Sequence, residues 1–391
     1  MSESEKTSPP PVQQATFPCR QCGAALHFVP GQGSLECPWC GYESPVEEIQ
    51  LEIREYDLNE AIQALHKAEK ALPDTETLAH CDTCGAEFQL DANVTSGDCP
   101  FCGSPVVTAA DQYRLFKPRS LLPFKVDRKQ AQDAFHKWLG SLWFAPNALV
   151  KHVRASEKLT GIYLPYWTFD SQTTTQYSGQ RGDIYYVTVT VPVVVNGRRT
   201  MQRRREPRIR WTPASGLVRR HFDDILVGAT QTLPRTITDN LQPWDLDALV
   251  PYQDAYLSGF RSEVYQVKVD EGFDLARRIM DNIIRADVRR DIGGDQQRIH
   301  RMHTQHAHST FKHILLPVWA AAFRYRGKSY RFVINGRTGR VQGERPYSWI
   351  KIMLAAVAGM ALLAGALYVF SEYSQQGAAS VNYHSQDYYR Y

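Results

Sequence analysis

No cysteine follows Cys102 in this 391-residue chain, which holds only eight in all. They form two identical C-x2-C…C-x2-C units with nothing left over, a pattern unlike the disulfide frameworks of small secreted domains. No apolar run opens the chain, which together with free thiolates favours a reducing compartment. Charge of one sign is lacking too. The 45 basic and 41 acidic residues leave +4, too balanced to argue nucleic-acid binding from charge alone. No phosphate-binding loop is present. Gly327-Lys328-Ser329 resembles the end of one, but the glycine required five positions earlier is Ala322, and the tripeptide falls in a strand–turn–strand pattern. With no catalytic constellation either, the chain reads as a non-enzyme. Hydrophobic residues at 43% and charged residues at 22% exclude a wholly disordered chain and a polytopic membrane protein.

The cysteines that are there carry the strongest pattern. Cys19-x2-Cys22 is followed after fourteen residues by Cys37-x2-Cys40, and Cys81-x2-Cys84 after fourteen by Cys99-x2-Cys102. Each pair sits on a tight turn that aims two thiolates at one point, and two such turns complete a tetrahedral four-thiolate zinc site. The context repeats as Cys37-Pro38-Trp39-Cys40-Gly41 and Cys99-Pro100-Phe101-Cys102-Gly103. The expectation is a duplicated zinc ribbon with two Zn(2+), each held by four cysteines. Iron is the alternative metal, since thiolates alone do not name it.

At the other end, Ile352–Phe370 is nineteen residues without a charge. At 1.5 Å per residue it spans about 28 Å, close to a bilayer core. Trp349 and Tyr347 flank one edge, and Tyr368 and Tyr373 the other, as an aromatic belt would. Arg337, Arg340, Arg345 and Lys351 lie on the N-terminal side and only Arg390 beyond. That bias predicts a single-pass protein of the inner membrane with its N-terminal bulk cytoplasmic.

Between these ends the pattern is α+β. Asp57–Ala71 reads as a short amphipathic helix, 127–142 as a second with Asp127 as cap, and Phe273–Val288 as a third. From Leu159 to Gly343 strands dominate. Ile184–Val195 alternates, Asn196-Gly197 is a hairpin turn, and Arg198–Trp211 is the return arm. That arm holds Arg198, Arg199, Arg203, Arg204, Arg205, Arg208 and Arg210. They form a candidate anion-binding surface for lipid headgroups, nucleic acid or an acidic protein, or else a solvated edge kept from aggregating by charge. His300, His303, His306, His308 and His313 have no cysteine or carboxylate at ligand spacing and read as a solvated strand face. Asp223-Asp224, as strand neighbours, should point to opposite faces.

The motifs as a set resemble a bacterial family of TFIIB-type double zinc-ribbon membrane proteins, often labelled primosomal protein N′ (replication factor Y) helicase-like. The matching stretches include both cysteine units, Leu122-Pro123-Phe124-Lys125, 142–147, Leu164-Pro165-Tyr166-Trp167, Trp244-Asp245-Leu246, 311–319 and Gly343-Glu344-Arg345-Pro346. The resemblance implies a membrane anchor for phage-shock protein A-like or SPFH proteins. The expected organisation is a disordered tail (1–16), ribbon 1 (17–46), a linker with a short helix (47–78), ribbon 2 (79–108), an α+β domain rich in antiparallel strands (109–346), a transmembrane helix (350–370) and an exported tail (371–391). Two functions compete. One is a membrane-anchored zinc-ribbon scaffold for protein partners, and the other a membrane-tethered nucleic-acid-binding protein. The second cysteine unit has no basic residue between Cys81 and Cys102 but carries Asp82, Glu87, Asp91 and Asp98. That composition disfavours phosphate binding and favours the scaffold.

Overall fold

The computed structural model describes residues 14–15, 17–47, 49, 53–68, 78–80, 87–89, 94–98, 105–108, 116–142, 159–195, 198–325, 328–344 and 349–383. The fold is α+β, with one large, mainly antiparallel sheet. In chain order the elements begin with β1 (Gln14–Ala15), β2 (His27–Val29), β3 (Ser34–Glu36), β4 (Glu43–Pro45), β5 (Tyr56–Asp57) and α1 (Leu58–Ala68). Next come β6 (Leu78–His80), β7 (Glu87–Gln89), β8 (Val94–Asp98), β9 (Pro105–Thr108), β10 (Ser120–Leu121) and α2 (Arg128–Ser141). The long strands β11 (Thr160–Val195) and β12 (Arg198–Gly228) follow, then α3 (Arg235–Thr238), β13 (Val250–Pro251), β14 (Arg261–Glu263) and α4 (Val269–Ile292). β15 (Gln296–Tyr325), β16 (Lys328–Asn335), β17 (Val341–Gly343) and α5 (Trp349–Tyr383) complete the chain.

Local sequence explains the helices. The Asp127 carboxylate accepts from Gln130 N–H at 2.7 Å, and the Gln130 side chain accepts from Asp127 N–H at 3.0 Å. This reciprocal capping box starts α2 at the expected place. α4 runs four residues further at each end than the expected 273–288. Asp270 and Glu271 occupy its first turn and Arg289 and Arg290 its last, matching the helix dipole. Val269, Gly272, Ala276, Met280, Ile284, Val288 and Ile292 make its buried stripe. A Cβ on Gly272 would lie 2.8 Å from the Trp167 ring, so the glycine lets the helix reach the sheet.

The centre of the sheet is β11 between β12 and β15. The two Leu-Pro-x-Trp stretches lie side by side, with Leu164 opposite Leu316. Each tryptophan ties the sheet to a neighbouring segment. Trp167 Nε1 donates to Val267 O and Trp319 Nε1 to Val126 O, both at 2.9 Å. β15 accompanies β11 only as far as Gln296 opposite Gly182. Past that level β11 and β12 continue alone for thirteen residue pairs, from Asp183/Arg210 to Val195/Arg198. At about 3.3 Å per residue this two-stranded arm is about 43 Å long. The Asn196-Gly197 turn lies outside the described residues, but its flanking pair is in the expected hairpin register.

The first cysteine unit is built into the domain. Phe28 N–H donates to Ser258 O at 3.0 Å, Ser258 Oγ to Leu26 O at 2.6 Å, and Gly31 N–H to Phe124 O at 3.0 Å. The Phe28 ring packs edge-on to Tyr256 at 5.2 Å. Leu26, Phe28, Leu35, Cys19 and Cys37 share one hydrophobic core with Phe124, Phe135, Tyr163 and Trp319. Residues 17–46 therefore fold against the domain expected over 109–346. The region of the second unit joins it as well, because β8 pairs with β14, which pairs with β11.

Lys351–Phe370 within α5 has a mean hydropathy of 2.3 and no part of it is buried against the protein. It is long and apolar enough to cross a membrane.

Candidate metal centre

Cys19, Cys22, Cys37 and Cys40 converge. Their sulfurs lie within 4.8 Å of one another, with Cys19 to Cys40 at 3.5 Å and Cys22 to Cys37 at 3.4 Å. Four thiolates about 2.3 Å from a tetrahedral zinc would stand about 3.8 Å apart, so the set fits one such metal. Two equivalent turns build it. Gly23 N–H donates to Cys19 O at 2.9 Å and Cys19 N–H to Ala24 O at 2.6 Å. Gly41 N–H donates to Cys37 O at 3.0 Å and Cys37 N–H to Tyr42 O at 2.8 Å. Gly23 and Gly41 have φ of +76° and +70°, a conformation that side chains with a Cβ adopt at a cost. Six residues fill each tip, between the bridge Pro18/Ala25 in one case and the pair Glu36/Glu43 in the other.

The thiols are electrostatically unequal. Burial raises Cys37, but the N–H groups of Cys40 and Trp39 and the thiols of Cys22 and Cys40 outweigh it and bring it down to about 7. The Tyr42 N–H lowers Cys40, but burial and the three other thiols push it up to about 12. A bound cation would hold all four as thiolates and release their protons. Trp39, in the tip between Cys37 and Cys40, is 83% exposed.

Cys81, Cys84, Cys99 and Cys102 lie outside the described residues, but their flanking strands do not. His80 pairs with Glu87 and Asp98 with Pro105. Each pair encloses six residues containing one Cys-x2-Cys-Gly, the register seen at Cys19 and Cys37.

The arginines fall on both faces of the projecting arm. Opposite-residue pairing places Arg199, Arg203 and Arg205 on one face and Arg204, Arg208 and Arg210 on the other, all exposed. Arg198 is in register with Val195. Arg205 stands over Tyr186 at 5.8 Å and Arg210 over Tyr185 at 5.3 Å. The histidines divide differently from the sequence expectation. His300, His303 and His308 are exposed, but His313 is fully buried, its Nδ1 2.9 Å from Phe116 O. Burial pushes it down to about 4, so it is a neutral core residue beside Trp167.

A second polar cluster was not legible in the sequence. Lys312 Nζ lies 3.0 Å from Glu55 Oε1, 2.8 Å from Asp224 Oδ1 and 3.9 Å from Asp170 Oδ2. Asp223-Asp224 do not diverge as strand neighbours should. The ladder slips at Phe169/Ser171, Asp224 has φ of +52°, and the carboxylates of Asp170, Asp223 and Asp224 lie within 4.8 Å of one another. Thr310 Oγ1 also donates to Glu55, beside the β5–β15 pairing. The cluster thus clasps the segment between the two cysteine units to the sheet.

Burial and the Glu55 carboxyl push Asp170 up to about 7, against the Asp224 N–H and Lys312. Its folded value lies above its unfolded one, so the native state binds the extra proton between about pH 4 and pH 7. Stability therefore falls as pH rises through that window. Asp170→Asn should flatten this slope in denaturation curves taken across it. An unchanged slope would remove Asp170 as its source.

No protein-family model matches the chain, and no solved structure matches it. It is 25% identical over 363 residues to YdjG of Bacillus subtilis strain 168, described as an uncharacterized protein. The match covers 89% of this chain and 96% of that relative, and it brings no activity with it.

Proposed function

We propose that the chain is a membrane-anchored zinc-ribbon scaffold that recruits a protein partner to the cytoplasmic face of the inner membrane. The observation that carries this reading is Trp39. A large aromatic side chain stands 83% exposed at the tip of a rigid four-cysteine unit. Interface hot spots are enriched in tryptophan. Cys19, Cys22, Cys37 and Cys40 hold one zinc as a ribbon. Cys81, Cys84, Cys99 and Cys102 hold a second, a reading supported by the matching register of the strands that enclose them. Packing of the first unit against the domain core fixes its orientation, as a docking surface requires. The family resemblance of the motifs makes phage-shock protein A-like or SPFH proteins the first partners to examine.

Lys351–Phe370 supplies the anchor, and the arginine and lysine bias on its N-terminal side sets the orientation. A reporter active only outside the cytoplasm should work when fused after Tyr391 and fail when fused before Met1. The reverse pattern would overturn the orientation, and extraction of the protein by alkaline carbonate would overturn the anchor.

A further inference from the structure

The projecting arm has two free edges, and they are guarded differently. Ile184 N–H donates to Asp295 Oδ2 at 2.7 Å and Asp295 N–H to Gly182 O at 2.9 Å, both on the side where β15 begins. Even-numbered residues of β11 therefore aim their backbone groups outward, and odd-numbered ones aim at β12. The contact of Thr200 Oγ1 with Val193 O agrees with this parity. On β12 the outward positions are Arg199, Met201, Arg203, Arg205, Pro207 and Ile209. Arginine and proline are the residues that blunt an edge against pairing. The outward positions of β11 are Ile184, Tyr186, Thr188 and Thr190, closed only by Pro192 at the tip end. From Ile184 to Val195 this strand has no charged residue. Among the described residues the outward N–H groups of Tyr186, Thr188 and Thr190 have no partner.

We propose that this edge pairs with the same edge of a second copy of the chain, antiparallel about a two-fold axis at Thr188. The edge is complementary to itself in that register from Ile184 to Pro192, and the strands part beyond it, where Gly182 is already paired with Gln296. Thr188 meets Thr188 and Tyr186 meets Thr190, giving three hydrogen-bonded pairs. On the other face Val187 meets Val189 and Tyr185 meets Val191. Threonine pairs and aromatic–β-branched pairs are the favourable cross-strand combinations. The two positions already out of the ladder fall opposite each other, because Pro192 has no N–H and that of Ile184 is held by Asp295. Charge does not oppose the contact. The two arginine-bearing strands end three strand spacings apart, about 14 Å, beyond the screening length of about 8 Å at physiological salt. An anionic bilayer fits the arm less well, since the exposed arginines divide between both faces and a flat surface meets one.

The full-length protein in detergent tests this. Thr188→Cys under mild oxidation, with zinc present, should give a covalent dimer well above the background of the unsubstituted chain. Arg205→Cys, opposite Thr188 on the guarded strand, should not. Thr188→Pro removes an N–H that faces outward on the isolated arm, so the fold is retained. The loss of both central hydrogen bonds should weaken the dimer about tenfold or more in light scattering. Three results would overturn the proposal: an unsubstituted chain that is monomeric at every concentration, a dimer indifferent to Thr188→Pro, or an adduct at position 188 with a different protein.

Discussion

On the proposed reading of two zinc sites, Cys37→Ser should lower the zinc content from two ions per chain to one and destabilise the whole sheet domain, not the first cysteine unit alone. Both effects follow from where the cysteine sits. Its side chain is 1% exposed and belongs to the core that holds Phe124, Phe135, Tyr163 and Trp319. A small ribbon takes most of its folding energy from metal. With free zinc about 1,000-fold above the dissociation constant, binding contributes about 4 kcal/mol. Once the metal is lost, the strands that carry Leu26, Phe28 and Leu35 no longer hold those side chains against the domain. Elemental analysis reads the first effect and thermal unfolding followed by tryptophan fluorescence the second. A variant that loses one zinc and unfolds at the original temperature would show that the unit is energetically separate. One zinc in the unsubstituted chain would remove the second site, and iron would replace the metal in the account.

The second large effect is expected at Lys312. Lys312→Met keeps most of the stem and removes the charge, leaving Glu55, Asp170 and Asp224 facing one another. Burial disfavours the Lys312 ammonium, yet Asp224 and Glu55 more than offset this and raise it. Breaking a buried ion network from one side costs about 3–5 kcal/mol, largely because the remaining charges are uncompensated. Adding Asp170→Asn should restore part of the loss, since it removes one of the stranded carboxylates. Chemical denaturation of the two single variants and the double variant measures this coupling. Strictly additive losses would show that Lys312 and Asp170 do not act as a unit. A cost below about 1 kcal/mol for Lys312→Met would place the cluster among ordinary surface pairs.

Features encoded over a few residues were legible in the sequence. The cysteine turns, the Asp127 cap, the Asn196-Gly197 register and the apolar stretch each rest on spacing within one element. What could not be read depends on residues far apart in the chain. Phe28 and Ser258 meet across 230 positions of sequence, so nothing near Cys19 announces that its cysteine unit is part of the domain core. The Lys312 cluster draws on Glu55, Asp170 and Asp224. It forms only because a slip in the β11–β12 ladder cancels the alternation assumed for Asp223-Asp224. His313 reads as one more histidine in a run of five, and only the packing of Trp167 and Phe116 around it makes it interior. The sequence predicts the arm as a hairpin, but its two edges are unequal because β15 reaches no further than Gln296, opposite Gly182.

The docking of the first cysteine unit also determines how the proposed recruitment is tested. Deleting the N-terminal 110 residues would strip Leu26, Phe28 and Leu35 from the shared core and confound loss of binding with loss of fold. Trp39→Ser avoids this, because the side chain is exposed. The decisive measurement is affinity capture of the full chain from detergent-solubilised membranes, with and without Trp39→Ser, at matched zinc content and thermal stability. The account predicts that the substitution removes a specific protein partner while the chain stays in the membrane. An unchanged set of captured proteins, or nuclease-sensitive nucleic acid as the sole component lost, would contradict it.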